Sequence, residues 1–196
     1  IEGDISILKH QIDVNKTLRT FYLKIPSSYD KTKPYPLVFV LHGGTGNANN
    51  ILKDTQWDQV AEENNFIAVF PEGTPMIDPK TGKEIPDRYT WNDGSVKNSA
   101  DDIAFFKAML EYITHEYCIN EDRIHATGFS NGGAMTFRLG REMDPVFASI
   151  APVSCSDWLD SPEVSSTISL LYITGTKDPL NPMEGGRMKM HGVEFG

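Results

Sequence analysis

Cysteine is scarce in this chain: its 196 residues include two, Cys118 and Cys155. Two thiols without metal-ligand spacing do not make a zinc site, and no other metal site is expected. Cys118 precedes the run "RIHATGF" and Cys155 follows "FASIAPV". If those runs are neighbouring parallel strands, the cysteines lie near opposite ends, about 20 Å apart. A disulfide needs a Cα separation of at most about 7 Å, so two free thiols are expected. Positive charge is also in deficit. Eighteen Lys and Arg against 27 Asp and Glu leave a net charge of −9. That balance argues against nucleic acid or an anionic membrane as partner. No apolar run approaches the ~20 residues of a membrane-spanning helix. The first residue is Ile1 and not Met, so the absence of a leader carries no meaning. Internal repeats, low-complexity tracts and linkers are missing too, which predicts one domain over residues 1–196.

What is present is an alternation of strands and helices after a β-rich start. "DISILKHQID" and "TLRTFYLKIP" alternate polar and apolar residues, as half-exposed antiparallel strands do. "YPLVFVLHGG" and "FIAVFPEG" are continuous apolar runs suited to strands buried on both faces. Between them, Ile51, Leu52, Trp57, Val60 and Ala61 follow a helical spacing over about residues 49–64. Residues 73–98 hold prolines and glycines with no clear period, which predicts a long loop of the kind that is functional or disordered. A helix opens at "SADDIAFFKAM", with Asp101 and Asp102 in its first turn. Both are expected to satisfy free N–H groups there, the alternative being a role in fixing the long loop. "DRIHATGF", "FASIAPVS" and "ISLLYITG" complete the strands, with a helix opening at Asn131. The order predicts an α/β fold with a mainly parallel sheet and antiparallel N-terminal strands.

In such a sheet, ligands gather outside the carboxyl ends of the strands. Every chemically suggestive stretch follows a strand: "HGGTGN", "PEGT", "GFSNGG", "SCSDW" and "GTKDPLNP". "GFSNGG" sets Ser130 between Gly128 and Gly132, with Gly133 after it. A strand turning into a helix within about three residues leaves no room for side chains, which glycine tolerates. The spacing is that of a nucleophile elbow, with Ser130 at its apex as candidate nucleophile. A serine hydroxyl needs a base, and its tetrahedral intermediate needs aimed N–H donors. Asn131 N–H, at the helix start, is one candidate donor. Gly44 N–H, in the loop His42–Gly46, is the other, with Thr45 as its alternative. His42 is expected to hold that loop by hydrogen bonding. Asp178 is the candidate acid, with Asp157 as alternative.

The histidine is harder to find. Fold order demands serine, acid, then histidine, and only His191 follows Asp178. His10 and His115 read as surface residues, and His125 as a core one. The spacer before His191 is too short for a helix and strand. The expectation is a histidine beyond Gly196, His191 being the alternative and far from Ser130.

At these residues the chain resembles the esterases that group polyhydroxybutyrate depolymerases with feruloyl and acetylxylan esterases. "LVFVLHGGTGN", "YTWNDG", "DRIHATGFSNGGAMTFRL", "FASIAPVS" and "ITGTKDPLNPMEGG" carry the resemblance, over about residues 37–186. It implies an α/β-hydrolase fold, no cofactor, and ester hydrolysis through an acyl-enzyme on Ser130 with Asp178 in the triad. The substrate would be a small-molecule or polymer-linked feruloyl, acetyl or hydroxyalkanoate ester. A non-catalytic binding module and a peptidase on the same fold are the rival readings. The closing helix and strand of that fold are not found, so the sequence is expected to be C-terminally incomplete. The flank of "ISLLYITG" is then expected to be an open edge, or covered by another chain or a further segment.

Overall fold

The computed structural model describes residues 7–95, 100–159, 168–185, 188–190 and 193–195. Seven strands form the main sheet: β1 (Ile7–Val14), β2 (Thr17–Lys24), β3 (Tyr35–Leu41), β4 (Ile67–Pro71), β7 (Ile119–Phe129), β8 (Ser149–Val153) and β9 (Ser169–Leu170). Their order is β1-β2-β4-β3-β7-β8-β9. β1, β2 and β4 pair antiparallel, and every pairing from β4 through β3 to β9 is parallel. Alternation in β3 splits the core between two faces. Leu37, Phe39 and Leu41 join the cluster beneath α3 (Asp102–Glu116) and α4 (Asn131–Glu142). Val40 packs with Ile51 and Leu52 of α1 (Ala48–Thr55) and Ala61 of α2 (Trp57–Asn64). α3 earns its place through Phe106, Met109 and Ile113, buried at three- and four-residue intervals.

Several expectations need correction. The helix expected over 49–64 is two helices, because Gln56 takes a left-handed φ of 55° between them. No Gly or Pro marks that break, so periodicity alone ran through it. The loop expected over 73–98 contains a hairpin, β5 (Thr74–Ile77) with β6 (Glu84–Thr90). Its strands pack against no apolar layer, so they lack the alternation by which strands are read. "ISLLYITG" pairs only raggedly: β9 has two residues, and Ile173 adds an isolated bridge to Val153. Further on, β10 (Met188–Met190) and β11 (Val193–Phe195) form a separate hairpin where no strand was expected. His191 lies outside the described residues. Among those residues nothing pairs beyond β9, and Leu170, Leu171, Tyr172 and Ile173 are 44–62% exposed. Both cysteines are free, Cys155 being buried.

Candidate active site

The turn from β7 into α4 is built by exclusion of side chains. A methyl at Gly128 would stand 2.3 Å from the Gly132 carbonyl oxygen. One at Gly132 would stand 2.3 Å from the His42 oxygen, and one at Gly133 2.7 Å from Cys155 Sγ. Glycine at these positions lets α4 sit directly on the ends of β3 and β8. Ser130 is left with φ 54° and ψ −122°, a conformation that L-residues rarely hold. Thr45 (φ 66°) and Ser154 (φ 49°) are strained as well, each following the carboxyl end of a parallel strand. All three residues lie along one sheet edge.

Hydrogen bonds tie that edge together laterally. Ser130 N–H donates to the Val153 carbonyl at 2.9 Å, and Ser154 N–H to that of Ile173 at 2.8 Å. The 175–182 loop follows. Asn181 Nδ2 donates to the Ser154 carbonyl at 3.1 Å, docking the loop against the end of β8. Asp178 Oδ1 accepts from the N–H groups of Leu180 (2.8 Å) and Asn181 (3.0 Å). Those two amides hold its carboxyl below the ordinary aspartate range. The alternative acid, Asp157, is taken up by Arg141 at 2.7 Å.

The His42–Gly46 loop is pinned on both sides. His42 is buried, with Nδ1 donating to the Gly43 carbonyl at 2.8 Å and Nε2 accepting from Gly73 N–H at 3.0 Å. With Nε2 accepting, the 3.3 Å approach of Glu72 Oε1 is not a hydrogen bond; that oxygen accepts from Ala48 N–H at 3.0 Å. Thr45 N–H donates to the Tyr89 carbonyl at 2.9 Å and is spent. Gly44 N–H and Asn131 N–H have no partner among the described residues. A Cβ built on Gly44 would lie 3.3 Å from Asn131 Cβ, so the two unspent amides belong to adjoining residues.

The four histidines among the described residues are engaged away from Ser130. Besides His42, His10 meets the Tyr112 hydroxyl, His115 meets Glu116, and His125 meets Ser149 Oγ. The two first-turn aspartates divide their work. Asp101 caps α3 by accepting from Ala104 N–H at 2.9 Å. Asp102 is fully buried and pairs with Arg19 at 2.8 Å, while its second oxygen accepts from Asn92 N–H at 2.8 Å. Asp102 therefore fixes the segment beside the site.

Sequence reasoning assigned nothing to Trp91, Asp93 or the Asn131 side chain. Trp91 is buried and donates from Nε1 to the His42 carbonyl at 2.9 Å. The stretch "YTWNDG" was visible, but nothing local says what its residues face.

A central parallel sheet, helices on both faces and a strained serine between strand and helix define the α/β-hydrolase fold. Solved esterases share this architecture. One described as a thermostable esterase superposes with a TM-score of 0.66 at 20% identity, over 91% of this chain and 48% of its own. The acetyl xylan esterase from Aspergillus awamori does so with 0.60 at 18% identity, over 81% and 57%. The family described as "Putative esterase" matches residues 14–167, and the chain belongs to that esterase family. Feruloyl esterase C of Emericella nidulans is 28% identical over 173 residues, 86% of this chain and 58% of that protein. Feruloyl esterase B of Piromyces equi is 30% identical over 134 residues, 68% and 23% respectively. The chain thus spans little more than half the length of the feruloyl esterases C that it matches.

Proposed function

We propose that this protein is a serine carboxylic ester hydrolase working through an acyl-enzyme. Ser130 is the nucleophile, the amides of Gly44 and Asn131 are the oxyanion donors, and Asp178 orients a histidine base. The observation that carries the reading is the backbone of Ser130, held at φ 54° and ψ −122° on a turn with no room for neighbouring methyls. Holding a residue there costs about 1–3 kcal/mol, and such strain gathers where a side chain must be presented to a ligand.

In the first half-reaction Ser130 Oγ bonds to the ester carbonyl carbon and gives its proton to the histidine. The carbonyl oxygen becomes an anion facing the two amides, each worth about 3 kcal/mol to the transition state. Collapse breaks the C–O bond, and the alcohol leaves with the proton from the histidine. Water then repeats the sequence on the acyl-serine and releases the acid. The base is a histidine outside the described residues. Two strand spacings separate the elbow from the loop of Asp178, about 10 Å, which leaves space for an imidazole between them.

Feruloyl and acetyl esters, free or attached to a polymer, are the substrates that the relatives' names suggest. Hydroxyalkanoate esters complete the panel. A fluorophosphonate probe should label the full-length protein and spare its Ser130→Ala variant. Equal labelling of the two would overturn the proposal.

A further inference from the structure

The carboxamide of Asn131 is unusually well held for the first side chain of a helix. Its Oδ1 accepts from Trp91 N–H at 2.8 Å and from Thr90 Oγ1 at 3.1 Å. Its Nδ2 donates to the Trp91 carbonyl at 3.1 Å and to Asp93 Oδ2 at 2.6 Å. Asp93 is 2% exposed and has no cation partner among the described residues. Its other oxygen accepts from Ser95 N–H at 3.0 Å and Ser95 Oγ at 2.6 Å. The same short segment grips the opposite loop. The Tyr89 carbonyl accepts from Thr45 N–H, Tyr89 N–H donates to the Gly46 carbonyl at 3.1 Å, and the Trp91 indole reaches His42. Residues 89–93 therefore bridge Gly44 to Asn131.

We infer that Asp93 is a positioning residue, which sets the relative aim of the Gly44 and Asn131 amides through the Asn131 carboxamide. This rests on the reading of Ser130 as nucleophile and of those amides as oxyanion donors. Both Asp93 oxygens accept, Oδ1 from Ser95 and Oδ2 from Asn131, so Asp93 dictates that Nδ2 faces it and Oδ1 faces Trp91 N–H. Reversing the carboxamide would set Oδ1 against a carboxylate and an N–H against an N–H. With the flip fixed, the Asn131 backbone is locked to residues 90–93, and through them to the loop carrying Gly44. The ionisable groups around this carboxamide are Asp93, His42 beneath Trp91, Cys155 after β8, and, on either side of Asn92, Arg138 donating to its carbonyl and Asp102 accepting from its N–H.

The test is ester hydrolysis by the full-length protein from pH 5 to 9, read as the ratio of variant to wild-type kcat. In Asn131→Asp, a protonated carboxyl keeps the donation to Asp93 and the acceptance from Trp91 N–H, giving up only the bond to the Trp91 carbonyl. Once ionised it confronts Asp93 as a like charge. The kcat ratio should therefore fall about 100-fold as pH rises, the scale of a reacting group displaced by an ångström, with KM little changed. Adding Asp93→Asn to that variant removes the repulsion and should flatten the ratio. A ratio flat with pH in Asn131→Asp, a loss carried by KM, or a melting temperature that falls in step with kcat would overturn the inference. Ser130→Ala separates the two ideas: if it abolishes turnover while the Asn131→Asp ratio stays flat, only the role of Asp93 fails. Turnover surviving in Ser130→Ala would sink both.

Discussion

Removing the Asp102 carboxylate should cost far more than an ordinary ion pair. Arg19 and Asp102 have side chains 7% and 0% exposed, 83 residues apart in sequence and 2.8 Å apart in space. The guanidinium also donates to the Glu72 carbonyl at 3.2 Å and lies 4.1 Å from the Phe105 ring centroid. Exposed pairs contribute under about 1 kcal/mol, but deleting one partner of a buried pair strands the other charge and costs about 3–5 kcal/mol. Asp102→Ala additionally leaves Asn92 N–H without its acceptor. For a chain of this size each kcal/mol moves the melting temperature by about 2–4 °C, so a fall of about 6–20 °C is expected. Asp102→Asn keeps an acceptor for Asn92 while leaving Arg19 uncompensated, and should fall between. Replacing both partners by apolar residues of similar volume, Arg19→Met with Asp102→Leu, should recover much of the loss. Urea titration of the wild type, Arg19→Met, Asp102→Leu and the double variant gives the coupling energy directly. A coupling below about 0.5 kcal/mol, or an Asp102→Ala loss below about 1 kcal/mol, would refute the reasoning, since values that small belong to exposed pairs.

Two further predictions concern the elbow and its surroundings. Gly132→Ala places a methyl 2.3 Å from the His42 oxygen and 2.8 Å from the Leu41 oxygen, both backbone atoms at the end of β3. Near-ultraviolet circular dichroism should show lost tertiary packing, and a native spectrum with wild-type melting would contradict the close approach. Burial, with help from Asp93 and Asp157, pushes the Cys155 thiol up to about 12. At pH 8 only about one molecule in ten thousand then carries its thiolate, the reactive form. Iodoacetamide mapped by mass spectrometry should modify Cys118 in the folded protein and reach Cys155 only after denaturation; early modification of Cys155 would count against its burial.

Much of the frame was legible because its signals are local. Continuous apolar runs marked β3 and β4, whose faces are both covered, and the GFSNGG spacing marked a turn with no space for methyls. Gln56 was hidden because a left-handed residue at a helix junction needs neither Gly nor Pro. The β5–β6 hairpin was hidden because it packs against no apolar layer to print alternation on its sequence.

The sequence by itself determined the order of the main-sheet strands and put the chemical stretches on one sheet edge. It also determined where glycine was required, since those demands arise between residues a few positions apart. Tertiary structure alone decided between equals. Thr45 and Gly44 are neighbours with equivalent amides, and the Tyr89 carbonyl, 44 residues on, occupies one and leaves the other. Asp101 and Asp102 share one helical turn, yet Arg19 draws only the second into the core. Asn131 gained its grip from Trp91 and Asp93, residues 38–40 positions earlier. Such choices depend on which donor and acceptor the folded chain brings within about 3 Å, and local periodicity carries no record of that distance.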